Sequence, residues 1–187
     1  MPRAGLDAEA VVGAAAALAD AEGLEAVTLA RLAERLGVRP PSLYAHVAGL
    51  PDLRRRLAAR GAAELADVLQ AAAAGRARGE ALADVAGAYR AYARAHPGTY
   101  AAAQRAADLG EPAAAAAAGR AVDVVLAILR GYGLEGDDAI HAARIVRSAL
   151  HGFVSLEARE GFGIPLDLDE TFARLVSALD KGFRPSP

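Results

Sequence analysis

Four histidines, at positions 46, 96, 141 and 151, are the side chains best suited to bind a metal or move a proton near neutral pH. Their spacing supports neither role. No two stand four residues apart, and the chain has no cysteine, which removes a thiolate metal site, a cysteine nucleophile and a disulfide frame. Asp137 and His141 stand at i, i+4 and could share a metal, but Asp137 reads more simply as a helix cap. His151 and Ser155 share a helix face with no acid to orient them. Gly-x-Ser-x-Gly, a phosphate-cradling glycine loop and His-Glu-x-x-His are all missing. The expectation is a protein that is not an enzyme and holds no metal or cofactor. What remains is hydrogen-bonding chemistry, concentrated in residues 39–46, "RPPSLYAH".

The elements that must position this stretch are helices. The chain has 187 residues and is 54% hydrophobic, but aromatics make up only 5% and alanine dominates. Ala, Leu, Arg and Glu lose little side-chain entropy in a helix, so the composition predicts an all-α fold. A first helix is expected from Asp7 to about Glu22, with Ala10, Ala14, Ala17, Leu18 and Ala21 as its apolar stripe. Thr28 caps a second helix carrying Leu29, Leu32, Ala33 and Leu36, and Gly37 stops it. Proline is tolerated in a helix's first turn, where its missing N–H has no partner anyway. Pro40 and Pro41 therefore open a third helix, with Leu43 and Val47 as its buried edge and Ser42, Tyr44, Ala45 and His46 lying away from it. A fourth helix starts at Pro51 and runs to a break at 71–79. Five more are expected near 80–96, 98–106, 112–132, 137–161 and 169–181, about nine in all. The seventh is apolar nearly all round at Val124–Leu129 and should be central, and Asp137 or Asp138 should cap the eighth. The stretch "DLGEP" reads as a loop.

Net charge is −2, which alone argues against nucleic acid. The distribution argues the other way: residues 28–60 hold seven arginines against Glu34 and Asp52. A solvated helix face would show the same charges.

Two short helices joined by a glycine-containing turn, with a third beside them, form a helix-turn-helix pattern. The segment "VTLARLAERLGVRPPSLYAHVAGLPDLRRRLA" resembles the DNA-binding segment of the TetR-type transcriptional regulators, over about residues 7–57. "HPGTY" and "LHGFVSLEAREGF" resemble pieces of one regulatory-domain type of that family. That type usually has Trp-His-Gly where this chain has Leu150-His151-Gly152. The resemblance implies a three-helix DNA-binding domain over 1–52 and a helical ligand-binding and dimerisation domain over 53–187. It implies that Thr28 meets a phosphate, that Arg39, Pro41, Ser42 and Ala45 meet base edges, and that Tyr44 and His46 grip the sugar-phosphate backbone. Many relatives have a phosphate-binding lysine at the position of Leu50, a contact for which Arg54 or Arg55 could substitute. Tyr44 could equally be a core tyrosine, His46 a plain helix-end residue, and Arg54–Arg56 a solvated run.

The resemblance also implies a homodimer on a palindromic double-stranded operator, released by a small-molecule effector. Leu150, Phe153 and Val154 on the eighth helix and Phe172, Leu175, Val176 and Leu179 on the ninth are the expected interface. Both stripes could instead serve the internal core. Tyr89, Tyr92, His96 and Tyr100, with Phe153, are the expected lining of the effector site, or else a tyrosine-bearing core stripe. The N-terminal stretch carries acids through its apolar part and is not expected to be a signal peptide. The run "VVLAILRGYG" is broken by Arg130 too early for a membrane span, so a cytoplasmic protein without membrane contact is expected. The expected function is a DNA-binding regulator, a repressor released by its effector. The alternative is a helical bundle binding a ligand or protein, its N-terminal module no longer binding DNA.

Overall fold

A computed structural model describes residues 6–105 and 112–184. The described residues form nine α-helices and one 3-10 turn, with no strand. In chain order these are α1 (Ala8–Glu22), the 3-10 turn (Leu24–Ala26), α2 (Leu29–Leu36), α3 (Pro40–Leu43) and α4 (Leu50–Ala73). They continue as α5 (Arg78–Ala95), α6 (Pro97–Gln104), α7 (Pro112–Arg130), α8 (Gly136–Glu157) and α9 (Leu168–Phe183). The loop expected at 108–112 falls almost wholly outside the described residues.

The described residues within Met1–Glu64 and Ala95–Ala117 form one compact unit, and those within Leu65–Arg94 and Ala118–Pro187 a second. α4 passes through both, because its early leucines Leu53 and Leu57 belong to the first unit's core.

In the first unit the chain's stops and starts have local causes. Asp7 accepts a hydrogen bond from the Ala10 N–H at 2.7 Å and caps α1. Thr28 accepts from the Arg31 N–H at 3.3 Å and caps α2, and Gly37 ends α2 in the left-handed region at φ 66°. The core is aliphatic: Val11, Val27, Leu32, Leu43, Val47, Leu53 and Leu57 are all buried. α1 turns a different face inward from the one expected. Val11, Val12, Ala15, Ala16, Leu18 and Ala19 are buried, whereas Ala10, Ala17 and Ala21 are exposed. α6 lies against the end of α1. A side chain at Gly98 would collide with the Ala19 carbonyl, so only glycine allows that approach. The Asp20 carboxylate fixes the contact by accepting from the Thr99 N–H at 2.7 Å and the Thr99 hydroxyl at 3.1 Å.

The second unit is held differently. Arg90 of α5 is buried, and its guanidinium donates to Glu157 of α8 at 2.6–3.2 Å and pairs with Asp169 of α9 at 2.8 Å. The same group lies 5.2 Å from the Phe153 ring centre and 4.9 Å from that of Phe172. α8 begins at Gly136 behind Glu135, so Asp137 and Asp138 lie within its first turn rather than at its cap. They still favour the helix by facing its positive end.

α7 is not central. Val122 is exposed, and Val124, Val125 and Leu126 are only half-buried. By length and composition α7 is apolar enough to cross a membrane, contrary to the expectation from the shorter run, and 22% of its apolar window is buried. Much of that hydropathy is alanine, and Arg120 and Asp123 sit mid-helix. Arg120 pairs there with Asp67 of α4 at 2.6 Å.

Candidate nucleic-acid interface

The region that could meet a duplex is the loop and helix after Gly37. Arg39 is extended and precedes Pro40 and Pro41, which lack N–H groups. The Ser42 N–H reaches the Arg39 carbonyl at 2.9 Å, and the Tyr44 N–H reaches that of Pro41 at 3.3 Å. α3 is therefore a single turn, shorter than expected. The chain then tightens, with the N–H groups of His46 and Val47 both donating to the Leu43 carbonyl at 2.9 and 3.0 Å.

This short coil is anchored from beneath. Leu43 and Val47 are buried in the leucine core. Arg39, Pro41, Ser42, Tyr44 and Ala45 are exposed, and His46 is half-buried. Tyr44 is 61% exposed, so it is not a core tyrosine. An aromatic hydroxyl that far out of a small domain is free to donate to a phosphate. Arg35 and Arg39 have no ion-pair or hydrogen-bond partner among the described residues. Thr28 uses its oxygen as an acceptor to cap α2, which leaves its hydroxyl proton for a phosphate oxygen.

The start of α4 braces the same surface. Asp52 accepts from the Ala48 N–H at 2.9 Å and from Arg55 and Arg56 at 3.0 Å each. The Ala48 N–H is the main cause that holds this carboxyl below its ordinary value, against the opposing effect of burial; Arg56 and Arg55 add to it. Two of the three adjacent arginines are thus tied to Asp52. Arg54 points to Glu25, 3.8 Å away, and its Nε is buried without a partner among the described residues. Arg54 is therefore placed as a brace to the 3-10 turn more than as a free phosphate contact. No sequence signal marks these commitments beyond the three adjacent arginines following an acid.

The residues expected around an effector fall in both units. Tyr89 and Tyr92 are buried in the second unit, and Tyr100 is buried in the first. His96, also in the first, is exposed and places Nδ1 3.2 Å from Asp20. Phe153 is packed by Phe162 and Phe172, with ring centres 5.0 and 4.9 Å away, and by Arg90. Sequence reasoning missed Arg90, Glu157, Asp20 and Thr99, whose partners lie 67 and 79 residues apart.

The expected dimer residues divide. Leu150, Phe153, Val154, Phe172 and Val176 are buried within the single chain, and only Leu175 and Leu179 are half-exposed. An apolar stripe wider than one contact face explains this: α8 turns those residues inward and leaves Ile145 and Leu156, 52% and 48% exposed, on another side. Gly152 lies between them on that side, with nothing within 4 Å of where its Cβ would be. His151 is shifted down by burial, then by Arg147 and Arg159, which favours its neutral form. Among the described residues no group of three or more His, Asp or Glu side chains is placed to hold a metal ion.

Comparison with known proteins matches residues 11–46 to the profile of bacterial regulatory proteins of the tetR family. Residues 82–179 match that of the tetracyclin repressor-like C-terminal domain. An HTH-type transcriptional regulator of Mycobacterium tuberculosis is 42% identical over 95% of this chain and 81% of its own length. Another from Bacillus subtilis, YobS, is 38% identical over 92% of this chain and 90% of its own. Among solved structures, BioQ with its natural double-stranded DNA operator superposes with a TM-score of 0.68 at 24% identity. That match covers 94% of this chain and 99% of that one.

Proposed function

The chain belongs to the tetR family of bacterial transcriptional regulators, and from that premise we propose that it is a repressor that binds a palindromic operator as a homodimer and is released by a small-molecule effector. The observation that carries the reading is the anchored, outward edge of residues 39–46, with Tyr44 exposed above buried Leu43 and Val47. BioQ, of similar fold, has been solved with its DNA operator, which supports DNA binding as the reading. Arg39 is the base reader in this proposal, its fork matched to the O6 and N7 of a guanine. Tyr44, His46 and Thr28 hold the backbone.

A single reading head of this size binds weakly, so a twofold partner is part of the proposal. The second copy is seated on the outward side of α8, over Ile145, Gly152 and Leu156, with the half-exposed Leu175 and Leu179 of α9 beside it. The effector is received near Tyr89 and Tyr92 in the second unit, and the protein works in the cytoplasm.

The test is gel retardation of promoter fragments from the protein's own locus. The wild type should retard a fragment containing an inverted repeat. Arg39→Ala should relax preference at one or two base positions by about 1–3 kcal/mol each. Unchanged sequence preference in Arg39→Ala would overturn the assignment of base reading. Failure of the wild type to retard any fragment would favour the bundle that no longer binds DNA.

A further inference from the structure

The second unit contains a cleft that DNA binding does not use. It has a volume of about 670 Å³, within the range of small-molecule sites, and lies among the first turn of α5, the end of α7 and the end of α9. Three guanidinium groups line it, from Arg78, Arg130 and Arg184, against one carboxylate, Asp180. We propose that this cleft is a binding site for a small molecule bearing a phosphate or carboxylate group.

Asp180 does not neutralise the three arginines. Its Oδ1 accepts from the Tyr132 hydroxyl at 2.6 Å and its Oδ2 from Arg184 at 2.6 Å. Arg184 is thereby matched, and two cations remain. Arg130 is exposed and has no partner among the described residues. Arg78 donates its Nε to the Gly131 carbonyl at 2.7 Å, a neutral partner that orients the guanidinium without cancelling its charge.

The placement of Arg78 goes against local preference twice. It is a non-glycine residue in the left-handed region, at φ 48°. It is also a cation at the first residue of α5, the positive end of that helix. Arg130 at the end of α7 needs no such account, because a cation there suits the helix dipole. The surroundings are close-fitted. A Cβ on Gly79 would come 2.7 Å from Asp180 Oδ1, and one on Gly131 3.3 Å from the Arg78 side chain. Tyr132 is set by its bond to Asp180 and by the Phe183 ring, 6.0 Å away. Two unmatched guanidinium forks beside an aromatic wall suit an oxyanion carrying an organic body.

The probes are pyrophosphate for the phosphate class and citrate for the carboxylate class. Each is titrated calorimetrically into the full chain without DNA, at about 50 mM salt, where screening is moderate. At least one should give a single saturable event per chain with a dissociation constant near or below about 1 mM. Which probe binds distinguishes the two classes. Arg130→Gln, an exposed change that leaves the core intact, should weaken it about tenfold or more, and Arg78→Gln likewise. Arg174→Gln, on the exposed part of α9 beside Glu170, should leave it unchanged. No saturable heat from either probe up to about 10 mM, equal weakening by Arg174→Gln, or indifference to Arg130→Gln would each overturn the site. The measurement contains no DNA, so its failure is separate from failure of the operator reading.

Discussion

Arg35 and Arg39 in the first compact unit and Arg90 in the second are placed in opposite ways. The first buries Leu32, Leu43, Leu53 and Leu57 and leaves Arg35 and Arg39 outside and unpaired among the described residues. The second buries Arg90, only 8% exposed, between Phe153 and Phe172 and matches it with Glu157 and Asp169. The first unit's stability is thus non-directional and its charge is available to a partner. In the second unit the Arg90 charge is consumed inside, in one fixed geometry, while Arg78 and Arg130 stay uncancelled. Arg35 and Arg39, exposed and unpaired among the described residues, are available to a partner, whereas Arg90, buried and matched, serves architecture.

Breaking the second unit's device should have the largest effect. Glu157→Ala leaves Arg90 buried beside a lost partner and should lower unfolding stability by about 3–5 kcal/mol, measured by urea denaturation. Leu43→Ala tests the first unit. It should cost about 2–5 kcal/mol and weaken DNA binding with it, since the same residue anchors the exposed edge. If Leu43→Ala loses stability but binds DNA as before, the edge does not depend on its anchor.

A smaller effect sharpens the comparison at α4. Asp52 titrates below its ordinary value in the folded protein, so its contribution is complete above the ordinary carboxylate value and is lost as pH falls through the folded one. Asp52→Asn should therefore cost about 1–2 kcal/mol at neutral pH. The gap from the wild type should close on acidification below about pH 4. Denaturation midpoints across pH 2–7, in steps of about one unit, check this.

What was legible in the sequence was local. Asp7, Thr28 and Gly37 act within one helical turn of the residues they cap or stop, so they could be read directly. The inner face of α1 could not be read. In "AEAVVGAAAALADAE" almost every face is apolar, and the larger Val11 and Val12 decided which one turned inward. α7 shows a related ambiguity: Val124–Leu129 is apolar on every face, and such a run does not say that only Ile128 and Leu129 turn inward while Val124, Val125 and Leu126 stay half-buried. On α8 the spacing of Leu150, Phe153 and Val154 left open whether they face a partner or the chain's own core, and within the single chain they are buried. Arg90 and Glu157 pair across 67 residues, and nothing near either residue announces the other. Around residues 39–46 the anchor was legible, from Leu43 and Val47, but not the brevity of α3, where the Tyr44 and His46 N–H groups turn to carbonyls three residues back and tighten the coil.

The central claim is that the edge above Leu43 and Val47 grips a duplex through several phosphates. The most direct measurement is fluorescence anisotropy of a labelled operator fragment titrated with the protein over a salt series, for the wild type and Tyr44→Ala. The affinity should fall steeply with salt, with a log–log slope of about −0.9 for each phosphate neutralised. Tyr44→Ala should weaken specific and unrelated duplexes alike. An affinity that does not change with salt, or a Tyr44→Ala protein that binds every duplex as tightly as the wild type, would contradict the account.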